Sequence, residues 1–171
     1  MGRKMISLTK NNELKGYKSL DVYPEVAHFV TTRHEGISTG AYGSFNCSPY
    51  TNDSCMNVNR NQSWLFQCMN HQIKEFFIPE QSHGCASLII NESFFKDSLE
   101  MRRLLLRGMD ALITNVPGYC VCVTTADCVP VLLYDKKQHV VAAVHAGWKG
   151  TVKHIVSHVM DCLLYTSDAA D

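Results

Sequence analysis

The chain has 171 residues, 46% of them hydrophobic and 19% charged, which suits one domain with a real core and is too little for two comfortable ones. Lys+Arg and Asp+Glu balance at 16 each, so no global field attracts nucleic acid or an anionic membrane surface. No apolar run is long enough to cross a membrane, and the basic residues near Met1 are not followed by the apolar stretch of a signal peptide. The sequence therefore reads as cytoplasmic.

Eight cysteines without a secretory signal argue against a disulfide framework, and the lack of any Cys-x-x-Cys pair argues against zinc-ribbon and thioredoxin readings. Most of these thiols are expected to be reduced packing residues. Cys120 and Cys122 alternate within an apolar run, which puts them on one side of a strand as small core residues.

Residues 1–20 are polar, with Asn11-Asn12 as a turn candidate, and suit a short strand or a loose end. Residues 26–32 are β-branched and aromatic and predict a strand. Three glycines and several hydroxyl residues mark 33–46 as a structured loop. Asp53 or Ser54 can cap a helix running to about Met69, with Val58, Leu65, Phe66 and Met69 as its apolar stripe. Short strands follow at 76–78 and 88–90, while 92–108 has no clean period.

Strands are clearest at 111–114, 119–125, 129–134 and 139–145, with turns at Pro117-Gly118 and at 135–138. Their nearly continuous Val/Leu/Ala runs predict burial on both faces. Thr151 is a good N-cap for a last helix whose stripe is Val152, Ile155, Val156, Val159 and Met160. Strands alternating with helices make the fold α/β. The last ten residues, Cys162 to Asp171, back-translate to a transposase sequencing adapter read in frame. The natural sequence is therefore expected to stop near Asp161, with 162–171 set apart from fold reasoning as a scar.

Simple pairing across the 135–138 turn places Cys128 within a residue or two of the position opposite His145. Directly opposed Cβ atoms lie about 4.5–5.5 Å apart, which suits a shared metal. A buried thiol beside a satisfied histidine is the other reading, because eight His and eight Cys offer many combinations.

Three ordered motifs carry more weight. Gln81-Ser82-His83-Gly84, Thr125-Ala126-Asp127-Cys128-Val129-Pro130 and His145-Ala146-Gly147-Trp148-Lys149-Gly150-Thr151 resemble the signature of the multicopper polyphenol oxidase/laccase-domain family. Members of that family are described as purine nucleoside phosphorylases with adenosine deaminase activity. Thr31-Thr32-Arg33, Gly36 to Gly40, Tyr42 to Asn46, Asp53 and Val58-Asn59-Arg60 also resemble its N-terminal pattern. Two departures stand out: Glu35 replaces a usual glycine, and is expected to reshape the loop after Arg33, while Ser82 replaces a common valine. Family members are longer, so their C-terminal portion is expected to be missing here.

The resemblance implies one domain over 1–161, a layered α/β/β/α sandwich of mixed sheets with flanking helices, similar to the cytotoxic necrotising factor catalytic domain. It implies His83, Cys128 and His145 as ligands of Zn2+, with Cu2+ as the alternative; three protein ligands leave a fourth position open, as in catalytic zinc sites. The implied reaction joins phosphate to adenosine or inosine, releasing base and ribose 1-phosphate, with adenosine deaminase and methylthioadenosine phosphorylase activities beside it. The partners are then a purine nucleoside and phosphate; the oligomeric state stays open.

Arginine's planar fork suits phosphate, so Arg33 leads as its binder, followed by Arg60 and Lys149; a surface cation is the plain reading of each. Deamination would draw on water activated by the metal, and Asp127 beside a ligand could orient that ligand, accept a proton or merely cap a turn. Rival chemistries are copper-dependent phenol oxidation and a metal-free Cys128–His145 couple of deamidase type. His154 and His158 fall at i, i+4 on the polar side of the last helix, a solvated face. Trp148 is expected to pack beneath the turn after His145, with stacking on a purine as the alternative. His28, His34, His71 and His139 carry no signal above background.

Overall fold

A computed structural model describes residues 5–69 and 73–168, with side chains to 163. They fall into two compact units, Met1–His71 and Gln72–Asp171. Among the described residues, no helix is long and apolar enough to cross a membrane.

The first unit opens with a hairpin of β1 (Met5–Ser7) and β2 (Leu14–Tyr17). Asn12 has φ 63 in its turn, a left-handed conformation that Asn tolerates. The strand expected over 26–32 shrinks to β3 (Val30–Thr31), paired with β2. Ahead of it the ladder is replaced by a side chain: the Tyr17 N–H donates to His28 Nε2 at 2.8 Å. Helix α1 (Cys55–Cys68) forms as expected and buries Val58, Leu65 and, just beyond its end, Met69. Phe66 is instead exposed, and Asn61 takes a buried place on the helix.

Asn61 is there for its amide. It accepts from Ile37 N and donates to Ser38 Oγ and to the Asn46 carbonyl, at 3.0, 3.0 and 2.8 Å. Asp53 Oδ2 accepts from Ser38 Oγ at 2.6 Å and Asn46 Nδ2 at 3.1 Å, while its Oδ1 accepts from Ser54 N at 2.8 Å. These bonds satisfy the polar groups of the 33–54 loop against α1, as burial demands.

The second unit is a mixed α/β assembly. Its main sheet has the order β5-β6-β9-β8, from β5 (Ser87–Ile90), β6 (Ala111–Thr114), β8 (Val129–Asp135) and β9 (Val140–Ala146). β5 and β6 are parallel, so the chain between them must cross over. That crossover is the aperiodic stretch 92–108, which holds a short 3-10 turn at Phe94–Lys96 and helix α2 (Leu99–Leu105). A separate parallel pair joins β4 (Glu75–Phe77) to β7 (Tyr119–Val121), which is shorter than the expected 119–125.

The main sheet is buried on both faces, as its apolar runs predict. One face carries Ala111, Ile113, Val140, Ala142 and Val144 against Ile155, Val159 and Leu163. Leu112 and Ala143 point to the other face, against Phe77, Phe94, Leu106 and Val121. Strand alternation sorts neighbours between these two cores.

The last helix departs from expectation. Thr151 caps nothing; it lies inside α3 (Trp148–Val152), which starts after Gly147. The chain then breaks at His154, φ 58, before α4 (Ile155–Asp168). The break rotates the stripe, so Ile155 and Val159 are fully buried while Val152 and Met160 are exposed. Burying each of those two side chains is worth about 1.5–3 kcal/mol. Leu163 is also buried in this core, although it lies in the tail set apart on sequence grounds.

Candidate metal centre

The β8–β9 register pairs Pro130 with His145 and Val129 with Ala146. Cys128 therefore stands two residues before the partner of His145, at the same sheet end and, by strand period, on the same face. His83 comes from the loop between β4 and β5, with φ 60. One donor atom from each of His83, Cys128 and His145 lies within 4.8 Å of the other two. The two imidazoles meet edge to face, centroids 4.7 Å apart. His83 is exposed, Cys128 half-buried and His145 buried.

A buried acid organises this group. Asp110 is fully buried at the start of β6. Its Oδ1 lies 2.8 Å from His145 Nδ1 and accepts from His83 N at 2.9 Å. Oδ2 accepts from Gly84 N at 2.7 Å, Ser82 Oγ at 3.0 Å and Ser82 N at 3.3 Å. Three successive N–H groups thus wrap one carboxylate, as an anion nest does, and this wrap turns His83 toward the other donors. Burial alone would push the Asp110 carboxyl up. The hydrogen bonds from His145, Gly84 and Ser82 outweigh it and hold the carboxyl below its ordinary range.

Gln81 ties the second loop to the first. Its Nε2 donates to the Thr124 carbonyl at 2.8 Å, and its Oε1 accepts from Thr124 N at 2.7 Å and Thr124 Oγ1 at 3.0 Å. That amide acts as a strand segment would, fixing the backbone that leads into Asp127 and Cys128. Glycines let the third element approach. A Cβ on Gly147 would lie 3.3–3.5 Å from Cys128 Sγ, His83 Cδ2 and His145 Cε1, and one on Gly150 only 2.6 Å from the Gly84 carbonyl oxygen.

The donor set fits a metal. Ligands of a tetrahedral zinc with bonds of about 2.0–2.3 Å stand roughly 3.3–3.8 Å apart, so the three groups close on an ion by side-chain shifts of about 1 Å or less. His145 gives its Nδ1 to Asp110, leaving Nε2 for the ion, the carboxylate–histidine arrangement that orients metal ligands. Without an ion, burial pushes the Cys128 thiol up, and the Asp127 and Asp110 carboxylates push it further. A metal-free thiolate nucleophile needs the opposite, whereas a bound cation inverts the local balance.

The other expected residues are distributed as follows. Asp127 is exposed beside Cys128, and Lys149 is exposed with its Nζ 5.5 Å from the centroid of the Trp148 ring. Trp148 does not pack beneath the turn; it is 72% exposed, because it starts α3 on the outer side while Gly147 takes the inner place. Arg33 and Arg60 are exposed on the first unit, where Arg33 Nη2 donates to the Gly43 carbonyl at 2.8 Å. His154 and His158 are exposed but not on one helix, since His154 is the break before α4. His71 lies outside the described residues. Sequence reasoning passed over Asp110, whose signal is a lone charge opening an apolar strand.

The chain belongs to the multi-copper polyphenol oxidoreductase laccase family, whose model matches residues 27–170 and so runs through both units. It is 51% identical over 152 residues to a purine nucleoside phosphorylase of Bacteroides thetaiotaomicron, covering 89% of this chain and 56% of the relative. It is 32% identical over 157 residues to adenosine deaminase RL5 of an unknown prokaryotic organism, covering 92% and 58%. The chain thus spans somewhat over half the length of these relatives. Among solved structures it resembles the Bacillus licheniformis hypothetical protein YfiH, with TM-score 0.78 and 24% identity over 91% of this chain and 57% of that one, a likeness of fold. YlmD of Geobacillus stearothermophilus follows with TM-score 0.69 and 26% identity, over 80% and 51%.

Proposed function

We propose that this chain carries the metal centre of a cytoplasmic purine nucleoside phosphorylase that also deaminates adenosine, with His83, Cys128 and His145 holding Zn2+. The convergence of these three donors around a fully buried Asp110 carries the reading, supported by the relatives' names. Zinc, when bound, supplies Lewis acidity at its open coordination position.

The chain's own groups do the rest. Asp110 keeps the His145 proton on Nδ1 and holds His83 in place. Asp127, exposed beside Cys128, accepts a proton from the reacting water or hydroxyl. Lys149 of the second unit and, for their planar forks, Arg33 and Arg60 of the first are each candidate cationic donors for phosphate. Eight cysteines, read as reduced thiols, suit a reducing compartment.

The test is phosphate-dependent release of hypoxanthine and ribose 1-phosphate from inosine, run on zinc-loaded and copper-loaded protein. Zinc-supported phosphorolysis that is lost in His145→Ala is the expected result. Phenol oxidation confined to the copper form, with no ribose 1-phosphate in either, would overturn it in favour of the copper reading.

A further inference from the structure

Cys120 and Cys122 stand outside the proposed metal centre. Cys120 lies in β7 and Cys122 just past it, where the Cys122 N–H still donates to the Phe77 carbonyl at 2.9 Å. Extended pairing with β4 thus continues through both, and residues two apart project to one side. The intervening Val121 is buried in the core. They face one side of the strand as expected, but both are half-buried, and among the described residues neither is in the two core clusters. Their Sγ atoms are 3.7 Å apart.

That separation is the bite of a chelating dithiolate: two sulfurs about 2.3 Å from one tetrahedral ion stand about 3.8 Å apart. A disulfide suits the pair less well. Two residues of extended strand span about 6.6 Å, at the upper edge of the Cα spacing a disulfide accepts. Soft sulfur ligands select soft cations. We propose that Cys120 and Cys122 form a second site, a dithiol that captures a soft, thiophilic metal cation of the Cu(I) or Cd(II) kind. Each thiol loses its proton to solvent as a metal–sulfur bond forms, and no electron changes hands. The pair is not part of the three-ligand group found among the described residues.

Phenylarsine oxide tests this in the zinc-loaded chain, because trivalent arsenic condenses with two adjacent thiols and releases one water. A thiol count with an aromatic disulfide reagent reads the outcome. The arsenical should withdraw two thiols from the wild type and none from Cys120→Ser or Cys122→Ser, while Cys128→Ser still loses two. Mass spectrometry should place the arsenic on the peptide holding residues 120–122, a readout that needs no variant. Cadmium titration should find one more equivalent in the wild type than in the double serine variant. Arsenic on another peptide, no arsenic uptake, or equal cadmium stoichiometry would overturn the proposal.

Discussion

Asp110 and His145 are joined twice: side chain to side chain, Oδ1 to Nδ1 at 2.8 Å, and main chain to main chain, His145 N–H to the Asp110 carbonyl at 2.8 Å. The second bond extends the β6–β9 ladder one step past Ala111–Val144. Ladder pairing therefore sets the acid beside the ring, and the ring's far nitrogen faces the site. Because the same carboxylate holds the backbone of residues 82–84, one buried charge orients two of the three donors.

Replacing Asp110 should thus weaken metal binding before it touches any ligand. Asp110→Asn keeps the volume but exchanges an acceptor oxygen for a donor among five donor contacts. Loss of such an outer partner costs about 10–100-fold in metal affinity, and each buried N–H left unpaired costs about 1–3 kcal/mol of stability. Competition with a chromophoric zinc chelator measures the first, and chemical denaturation the second. Unchanged zinc affinity in a folded variant would remove Asp110 from the centre.

The two glycines of the 145–151 segment should separate binding from folding. At Gly147, φ −71 and ψ 167 suit any residue, but a methyl would press on Cys128 Sγ at 3.3 Å and fill the space beside His83 and His145 at 3.4 and 3.5 Å. Gly147→Ala should lower zinc affinity with little change in the melting midpoint. At Gly150 the methyl would meet the Gly84 carbonyl oxygen at 2.6 Å, a clash within the scaffold. Gly150→Ala should cost about 1–3 kcal/mol of stability. Paired zinc titrations and denaturation curves would expose any reversal of this order.

Much of this unit was legible because its signals are local. The apolar runs of β6, β8 and β9 and the turn at 135–138 set a register that puts Cys128 two residues from the partner of His145. His83 needed the ordered motifs, since no hairpin links its loop to theirs. Asp110 was missed because its meaning depends on donors from residues 82–84 and 145, which periodicity does not connect. The α3–α4 break was hidden for another reason: the 3.6-residue stripe from Val152 to Met160 reads through a left-handed His154 as if it were helical.

Glu35 tests a departure from the family pattern. Its φ is 65, in the region where a side chain costs roughly 1–2 kcal/mol and glycine does not. Glycine suits that backbone conformation, and this chain adopts it with Glu in place. Glu35→Gly should stabilise the protein by about 0.5–1 kcal/mol, after the entropy that glycine forfeits. Glu35→Val should destabilise it. Denaturation midpoints of the two variants on either side of the wild type are the expected result.

Asp53 should give the first unit an acid-sensitive contribution. The hydrogen bond from Ser38 lowers its carboxyl below the ordinary value, with further bonds from Asn46, Ser54 and Asn57, and these outweigh its partial burial. A carboxylate whose folded pKa is depressed stabilises the fold above its unfolded pKa, and that contribution is lost as pH falls through the folded value. Asp53→Asn should therefore be less stable than the wild type at neutral pH. The gap should close on acidification, the wild type falling more steeply from about pH 4 downward. Parallel stability curves across that range would mean that the Ser38 and Asn46 bonds do not distinguish the charged carboxylate from its neutral amide.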